Sequence, residues 1–482
     1  MSEVQERAYG PSWFAATAVA ARPRRRLAGD VDVDVCVVGA SIAGLTAARE
    51  LARRGWSVAV LEARHVGAAA STPHLGLVAP GFAEEIDRIV ARVGADHARA
   101  LWALSAAGAA QVRATIAETG MAGVLGAAGE LIVQTVDDAD SCRAYASQLA
   151  AFGADAEAWP TDRVRAALDS SAYFQAVHVR DAFLIHPLNY ALGLAAAAEE
   201  AGARIFENAR VTAIDGEGVR KRVESESGRV RAAHVVLAAA DESGRLNPLL
   251  SGTTITLARH LAATAPLDEQ LAACVGFSGL VSHRRPSLAR YRAEGGRLLW
   301  ASPLGLAQSP PLGFSRRVAR QIAQLYPPLR GVAVTHAWTA TATYAVHKMP
   351  QIGALAPGLW LAVAFGDHSV NTATMAGDLI ARAISEGDDR WRLFSPYELV
   401  WAGGLLGKAV TMIALRGLRA RTWIGGALAR GARASRPPGS EIAAAVQASP
   451  PLSPAPAATA GEGAANVNIA AAPHAGRKPR RP

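Results

Sequence analysis

The stretch DVDVCVVGASIAGLTAARELARRGWSVAVLE, residues 32–62, decides the fold. Residues 32–39 carry the continuous apolar pattern of a strand buried in a parallel sheet. Ser41–Arg54 reads as a helix with Ile42, Leu45, Ala48 and Leu51 on one face, and Gly55 stands where a terminating glycine belongs. Ser57–Glu62 is the next strand. The turn between strand and helix, Gly39-Ala40-Ser41-Ile42-Ala43-Gly44, has the spacing GxGxxG with Ser41 at the second glycine. In a dinucleotide-binding fold the first glycine makes the tight turn, the second lets backbone approach a pyrophosphate, and the third packs helix on strand. The helix N-terminus offers free N–H groups and the positive dipole end to phosphates. Glu62, 18 residues after Gly44, is placed to accept from ribose hydroxyls, and its charge disfavours a 2′-phosphate. A glycine turn in a nucleotide-free α/β fold is the competing reading. Ser41 either crowds a diphosphate with its Cβ or donates a hydrogen bond to it.

Outward from this unit, the chain of 482 residues is half apolar and long enough for two domains with extensions. Its three cysteines, Cys36, Cys142 and Cys274, are far apart and form neither a disulfide framework nor a CxxC pattern, as expected in a reducing compartment. The twelve histidines show no zinc spacing. The net charge of +9 belongs to residues 401–482, which hold eleven Lys or Arg and two acids, so residues 1–400 are neutral and carry no nucleic-acid signature. Arg22, Arg24, Arg25 and Arg26 follow the short apolar run Phe14–Ala21, the reverse of a secretion signal, and no apolar stretch is long enough to span a membrane. A cytoplasmic location is expected.

Residues 82–170 read as Ala-rich helix with a strand at Glu130–Thr135, and residues 188–202 as a helix. Strand patterns follow at Arg204–Phe206, Ala209–Ile214, His234–Leu237, Thr253–Leu257 and Arg297–Ser302, with a helix near Arg317–Tyr326. A last α/β unit joins Gly358–Ala364 to a helix over Asn371–Ser385. In residues 398–430, Lys408, Arg416, Arg419 and Arg430 share one side of a helical wheel, opposite Leu406, Val410, Ile413, Ile424 and Leu428. That arrangement suits peripheral contact with an anionic membrane or a helix packed on the domain, although six glycines in 403–426 weaken it by about 1 kcal/mol each. Residues 431–482 have the composition of a disordered tail.

Several segments in order resemble the FAD-dependent oxidoreductases of the D-amino-acid-oxidase-like superfamily, in particular the glycine oxidase and gamma-glutamylputrescine oxidoreductase branch. The resemblance covers roughly residues 9–420. Tyr9–Thr17 is similar to that branch's lead-in, and Val66–Leu77 to its GxGASGRNGGQ stretch, with Ser71 and Gly76 matching. Phe183–Pro187 with Tyr190, Val235–Ala240, Ala263–Leu267 and Trp338 with Pro350–Gly353 also fit. Ala364–Val370 (AFGDHSV) with Ala376-Gly377 resembles GFSGHGV…AG. Departures occur at Ser41, at Pro73, His74 and Leu75, and at Ala364, Gly366, Asp367 and Ser369, several of them where the family has glycine.

The resemblance implies an α/β fold: a discontinuous Rossmann-type FAD-binding domain with an inserted mixed α+β substrate domain. The expected division is a lead-in at 1–31, the FAD-binding domain at 32–110, 186–245 and 335–390, the substrate domain at 111–185 and 246–334, and a helical segment at 391–430. The implied cofactor is FAD, and the implied activity is oxidation of an amine or amino-acid C–N bond by hydride transfer, with imine hydrolysis and reoxidation by oxygen. Alternatives are a membrane-associated dehydrogenase feeding a quinone or carrier, and a flavin-fold protein with a degenerate site. Residues implied for the cofactor are Gly39, Ala40, Ser41, Ala43, Gly44, Glu62, Ala63, Arg64, Ser71, His74, Leu75, Gly76, Val211, Ala239, Gly366, His368, Ser369 and Val370. His74 falls where some relatives attach flavin covalently. The catalytic candidates are His368, Asp367 and Arg292. His368 either contacts the flavin or is satisfied by backbone; Asp367 either meets an ammonium or caps a helix; Arg292 either binds a carboxylate or is an exposed strand residue. Trp338 and Tyr344 are candidates to wall the substrate site.

Overall fold

The computed structural model describes residues 9–68, 75–239, 242–284 and 288–404, with Gly407, Val410, Thr411 and Ile413 beyond them. Ser71, His74, the basic positions Lys408, Arg416, Arg419 and Arg430, and residues 431–482 lie outside the described residues. The strands are β1 (Gly29–Val38), β2 (Val58–Leu61), β3 (Leu77–Val78), β4 (Leu125–Val133), β5 (Ala156–Trp159), β6 (Ala176–Ile185), β7 (Arg204–Phe206) and β8 (Val211–Asp215). They continue as β9 (Lys221–Ser225), β10 (Gly228–Leu237), β11 (Thr254–Thr264), β12 (Leu280–Ser282), β13 (Arg290–Glu294), β14 (Arg297–Ala301), β15 (Val334–Ala345), β16 (Gln351–Ala356) and β17 (Leu359–Val363). The helices that matter here are α1 (Ile42–Arg53), α2 (Ala95–Thr119), α3 (Ala139–Ala151), α4 (Pro187–Glu200), α5 (Phe314–Leu325) and α6 (Ser369–Glu386).

Among the described residues the strands form two sheets. The first has the order β16-β17-β10-β1-β2-β7, with β9 on β10 and β8 on β9. From β17 through β10, β1 and β2 to β7 all pairings are parallel, and β16 closes one edge antiparallel. Side chains alternate across this sheet. Val35, Val37, Val58, Val60 and Val236 enter one core with α1 and α6, while Val33, Val38, Ala59, Leu61 and Leu237 enter another. Burial on both faces is why residues 35–38 carry no polar side chain, the aspartates Asp30, Asp32 and Asp34 being confined to the less buried start of β1.

Three helices stack behind this sheet, and two glycines let them approach. A Cβ at Gly377 of α6 would stand 2.5 Å from the Ala43 carbonyl oxygen of α1; one at Gly108 of α2 would stand 2.3 Å from the Asn371 oxygen of α6. The helix over Asn371–Ser385 and the strand over Gly358–Ala364 are found as expected, within a residue or two.

The second sheet runs β15-β11-β14-β13-β12-β4-β6-β3, with β5 on β6. It takes in β3 and β15, whose residues the sequence division assigns largely to the FAD-binding domain. One face packs Leu131, Val281, Tyr291, Leu298 and Trp300 against Val318 and Ile322 of α5. The other face carries Glu130 and Ile132 of β4, Leu280 and Ser282 of β12, and Arg290 and Arg292 of β13, by the period-two alternation of these paired strands. Irregularities in β4 between Leu125 and Glu130, with Gly129 at φ +89°, set that alternation.

Candidate functional site

The first part of the site is the end of β1. Gly39 turns at φ +100°, and a Cβ there would meet the Ala238 carbonyl oxygen at 2.8 Å. Ser41 has φ −71°, open to any residue, so the backbone does not require glycine at that position. Its Oγ accepts from Gly44 N–H at 3.3 Å and caps α1. The cap leaves the hydroxyl proton and the next N–H groups of α1 available to an anion. Gly44 is held to glycine by the Gly39 carbonyl oxygen, 2.2 Å from where its Cβ would be. Ala43 is fully buried beneath the turn.

Glu62, at the end of β2, accepts from the backbone N–H of Ala40 at 3.0 Å and of Arg64 at 2.9 Å. Burial lifts its carboxyl above the ordinary range, against these two hydrogen bonds. Ala63 and Arg64 continue the turn, where the Arg64 carbonyl accepts from Asn208 N–H at 2.9 Å. Val211 and Ala239 pack, partly buried, on the core that holds Val38 and Leu61.

The second part joins two loops. Leu75 and Ala364 have φ +58° and +65° although neither is glycine. The left-handed backbone persists at both, at a cost of about 1–2 kcal/mol each. Leu75 is fully buried, so its side chain anchors the loop that its backbone strains. Gly76 has φ +81°, and a Cβ there would lie 2.1 Å from the Ile185 carbonyl oxygen. Gly366 has φ +61°, and a Cβ would press on the Tyr344 ring at 2.7 Å and the Ala83 methyl at 2.8 Å.

Asp367 does not serve as a simple cap. Its carboxylate accepts from Tyr344 OH at 2.8 Å and pairs with Arg259 at 3.1 Å and Arg290 at 3.0 Å. Arg259 is fully buried and also donates to the Ser302 carbonyl at 2.9 Å, so it is committed. Burial lowers the Arg259 pKa against the pull of Asp367, and burial together with Asp367 drives the Tyr344 phenol well above its ordinary value. The Nε groups of Arg259 and Arg290 are buried with no hydrogen-bond partner among the described residues. His368 is half-buried; its Nδ1 faces the Ala79 carbonyl at 3.4 Å, which leaves Nε2 as the acceptor. Burial lowers its pKa, opposed by Asp367 and assisted by Arg290, so the imidazole is neutral near pH 7. Ser369 and Val370 open α6, and Val370 is fully buried.

Of these residues, Arg290, Tyr344, Asp367 and His368 border a cavity of about 880 Å³. Phe82, Trp102, Tyr145, Leu257 and Leu304 are among its apolar walls, and Glu130, Ser282, His283, Arg290, Tyr344, Asp367 and His368 supply its polar part. Lys348 with Glu84 (3.4 Å) and Arg284 with Glu85 (3.2 Å) add ion pairs to its lining.

Two catalytic candidates, Asp367 and His368, thus meet at the cavity, and Tyr344 walls it. Arg292 does not reach it. It sits beyond Arg290 on the same face of β13, buried rather than exposed, ion-paired with Glu294 and donating to the Ile185 carbonyl at 3.3 Å. Trp338 packs edge-on against Phe14 with ring centroids 5.9 Å apart, away from the cavity lining. Sequence reasoning missed Arg259, Arg290 and Glu130. The available signal was a charge inside a strongly apolar strand, Arg259 in β11 and Glu130 in β4; Arg290 opens β13 among other charged residues and gives no such signal.

The arrangement fits a dinucleotide-containing cofactor: a capped helix N-terminus, a carboxylate at the end of β2 and glycine-tight loops converge from separate segments. The family described as FAD dependent oxidoreductase matches residues 34–383. The chain is 28% identical over 395 residues to gamma-glutamylputrescine oxidoreductase of Escherichia coli (strain K12), covering 80% of this chain and 91% of that protein. It is 26% identical to the probable oxidoreductase OrdL of Haemophilus influenzae, covering 80% and 90% of the two chains. Among solved structures, glycine oxidase from Bacillus cereus superposes with a TM-score of 0.62 at 19% identity, covering 75% of this chain and 98% of that one. L-proline dehydrogenase from P. horikoshii gives 0.62 at 18% identity, covering 78% and 100%.

Proposed function

The chain belongs to the FAD-dependent oxidoreductase family, and from that premise we propose that it oxidises the C–N bond of a small-molecule amine or amino acid. The residues that would hold FAD are Gly39 to Gly44 at the start of α1, Glu62 to Arg64, the segment from Ser71 to Gly76, Val211, Ala239, and Gly366 to Val370. FAD, when bound, accepts a hydride from the carbon beside nitrogen.

The cavity beside the loop 364–370 carries the reading. Its apolar walls exclude water and position the substrate carbon, and its polar residues receive the nitrogen. Asp367, tied to Arg259, Arg290 and Tyr344, holds the cationic side chains in place rather than exchanging protons. Neutral His368 accepts a hydrogen bond at Nε2. The N-terminus of α6 presents partial positive charge beside the same loop, where it favours negative charge on a neighbouring group. The product imine hydrolyses in water and oxygen is the electron acceptor. The three cysteines are all free and buried, in keeping with a cytoplasmic protein.

The purified protein is expected to be yellow and to lose its flavin band anaerobically with one of gamma-glutamylputrescine, putrescine, glycine and L-proline, with peroxide appearing when air is admitted. A protein that takes up no FAD, or takes it up and stays oxidised with all four compounds, would overturn the reading.

A further inference from the structure

Four carboxylates border the cavity, and three are already engaged. Glu84 is paired with Lys348 at 3.4 Å and Glu85 with Arg284 at 3.2 Å. Asp367 holds two guanidinium groups and a phenol. Glu130 is the fourth. Among the described residues no cation lies within ion-pair distance of it, and its hydrogen bond comes from Ser282 Oγ at 2.5 Å. It is only 7% exposed, in the middle of β4. A carboxylate left unpaired in such a place destabilises the fold unless a ligand completes it.

Strand register aims Glu130 at the cavity. Glu130 pairs with Leu280 and Val179, and the β12–β13 register (Leu280 with Arg292, Val281 with Tyr291), continued by one residue, brings Ser282 towards Arg290. Glu130, Ser282 and Arg290 therefore form one polar band across three strands, and Arg290 ties the band to Asp367, next to His368. On the same face Ile132 and Leu280 flank the band with apolar side chains, and Arg292 lies beyond it, ion-paired with Glu294.

We propose that Glu130 receives the substrate's ammonium group and takes its proton before oxidation, a step that rests on the amine reading above. The nitrogen–hydrogen bond breaks, its electron pair stays on nitrogen, and the proton ends on a Glu130 oxygen. The freed lone pair then makes the neighbouring C–H a hydride donor, and after product release the proton leaves to solvent. Glu130 is thereby a catalytic residue, and Ser282 positions it.

The surroundings suit a proton acceptor. Burial raises the Glu130 pKa, the Ser282 hydrogen bond and Arg290 restrain the rise, and Asp367 adds to it. Tyr145, from α3, feels the Glu130 charge but is held protonated by burial. The other imidazole beside the band, His283, is kept neutral by burial, with its pKa lowered to about 4.

The test is the pH dependence of anaerobic flavin reduction between pH 5.5 and 10, with whichever of the four compounds above is oxidised. Wild type should level off above the Glu130 pKa. Glu130→Gln keeps the Ser282 partner but cannot take a proton. Its rate should fall about a hundredfold at pH 7 and climb roughly tenfold per pH unit towards the amine's own pKa, with FAD content unchanged. Ser282→Ala removes a hydrogen bond to the carboxylate and should move the wild-type limb up by about one pH unit. A Glu130→Gln profile parallel to wild type at every pH overturns the proposal while leaving the amine reading intact. If that variant does not fold, an unmoved limb in Ser282→Ala overturns it in the same way. Failure of all four compounds with wild type overturns the amine reading and this step with it.

Discussion

Asp367 is the residue on which the site balances. One carboxylate compensates the fully buried Arg259 and the cavity-lining Arg290, and Tyr344 donates to its other oxygen. Removing its charge leaves two guanidinium groups facing each other without a counter-ion. Asp367→Asn is expected to cost about 3–5 kcal/mol, read as a lower urea midpoint at unchanged m-value. The sequence disclosed that Asp367 departs from a family glycine, but not what it does. Its partners are Arg259 and Arg290, about 110 and 80 residues earlier, and no local pattern announces a pairing over that distance. Arg292 illustrates the reverse. The sequence marks the pair Tyr291-Arg292, while Arg290, on the same face, is the arginine of β13 that lines the cavity. Leu75 and Ala364 show a third limit. Their side chains suggest altered loops, yet their positive φ values show backbone of the kind glycine would adopt.

At the scale of elements, local pattern succeeded where each element makes its own signal. The strand, turn and helix of residues 32–62 appear as read, and Gly55 ends α1 at φ +82°. Membership of β3 and β15 in the second sheet was not legible, because which sheet a strand joins depends on partners from distant segments. The glycine crossings of the helix stack were legible only as residues. Gly377 belongs to a recognisable Ala-Gly pair, but its structural meaning is the 2.5 Å approach to the Ala43 oxygen. Gly377→Ala should push α6 from α1, at a cost of about 1–3 kcal/mol. Because α1 carries the capped turn at Ser41, weaker FAD retention in equilibrium dialysis should accompany the lower stability. Unchanged FAD affinity would separate the crossing from the cofactor end of α1.

Across the whole molecule, two buried histidines govern acid stability. Burial lowers His186 and His283 to about 4 each. The unfolded chain binds these protons near the ordinary value of about 6.5, so it takes up more protons than the folded chain between the two values. Stability should therefore be full above about pH 6.5 and fall as pH drops towards 4, by roughly 3 kcal/mol per histidine. His186 also caps α4 through Nδ1, accepting from Asn189 N–H at 3.1 Å. His186→Asn retains a cap and should remove about half of that pH dependence, measured by urea unfolding from pH 4 to 8. Cofactor supply acts on the same scale. FAD at a hundredfold excess over its Kd should add about 2.7 kcal/mol, seen as a melting temperature that rises with added FAD. The parallel pairing of β1 with β10 has a consequence during synthesis. Val38 leaves the ribosome 190 residues before Gly228, the first residue of its partner strand. At about 5–20 residues per second, one edge of β1 waits on the order of ten to forty seconds for its neighbour. The segment that identifies the fold is thus open on one side while about two fifths of the chain is made, and over that interval the nascent chain presents an exposed valine edge to any chaperone that meets it.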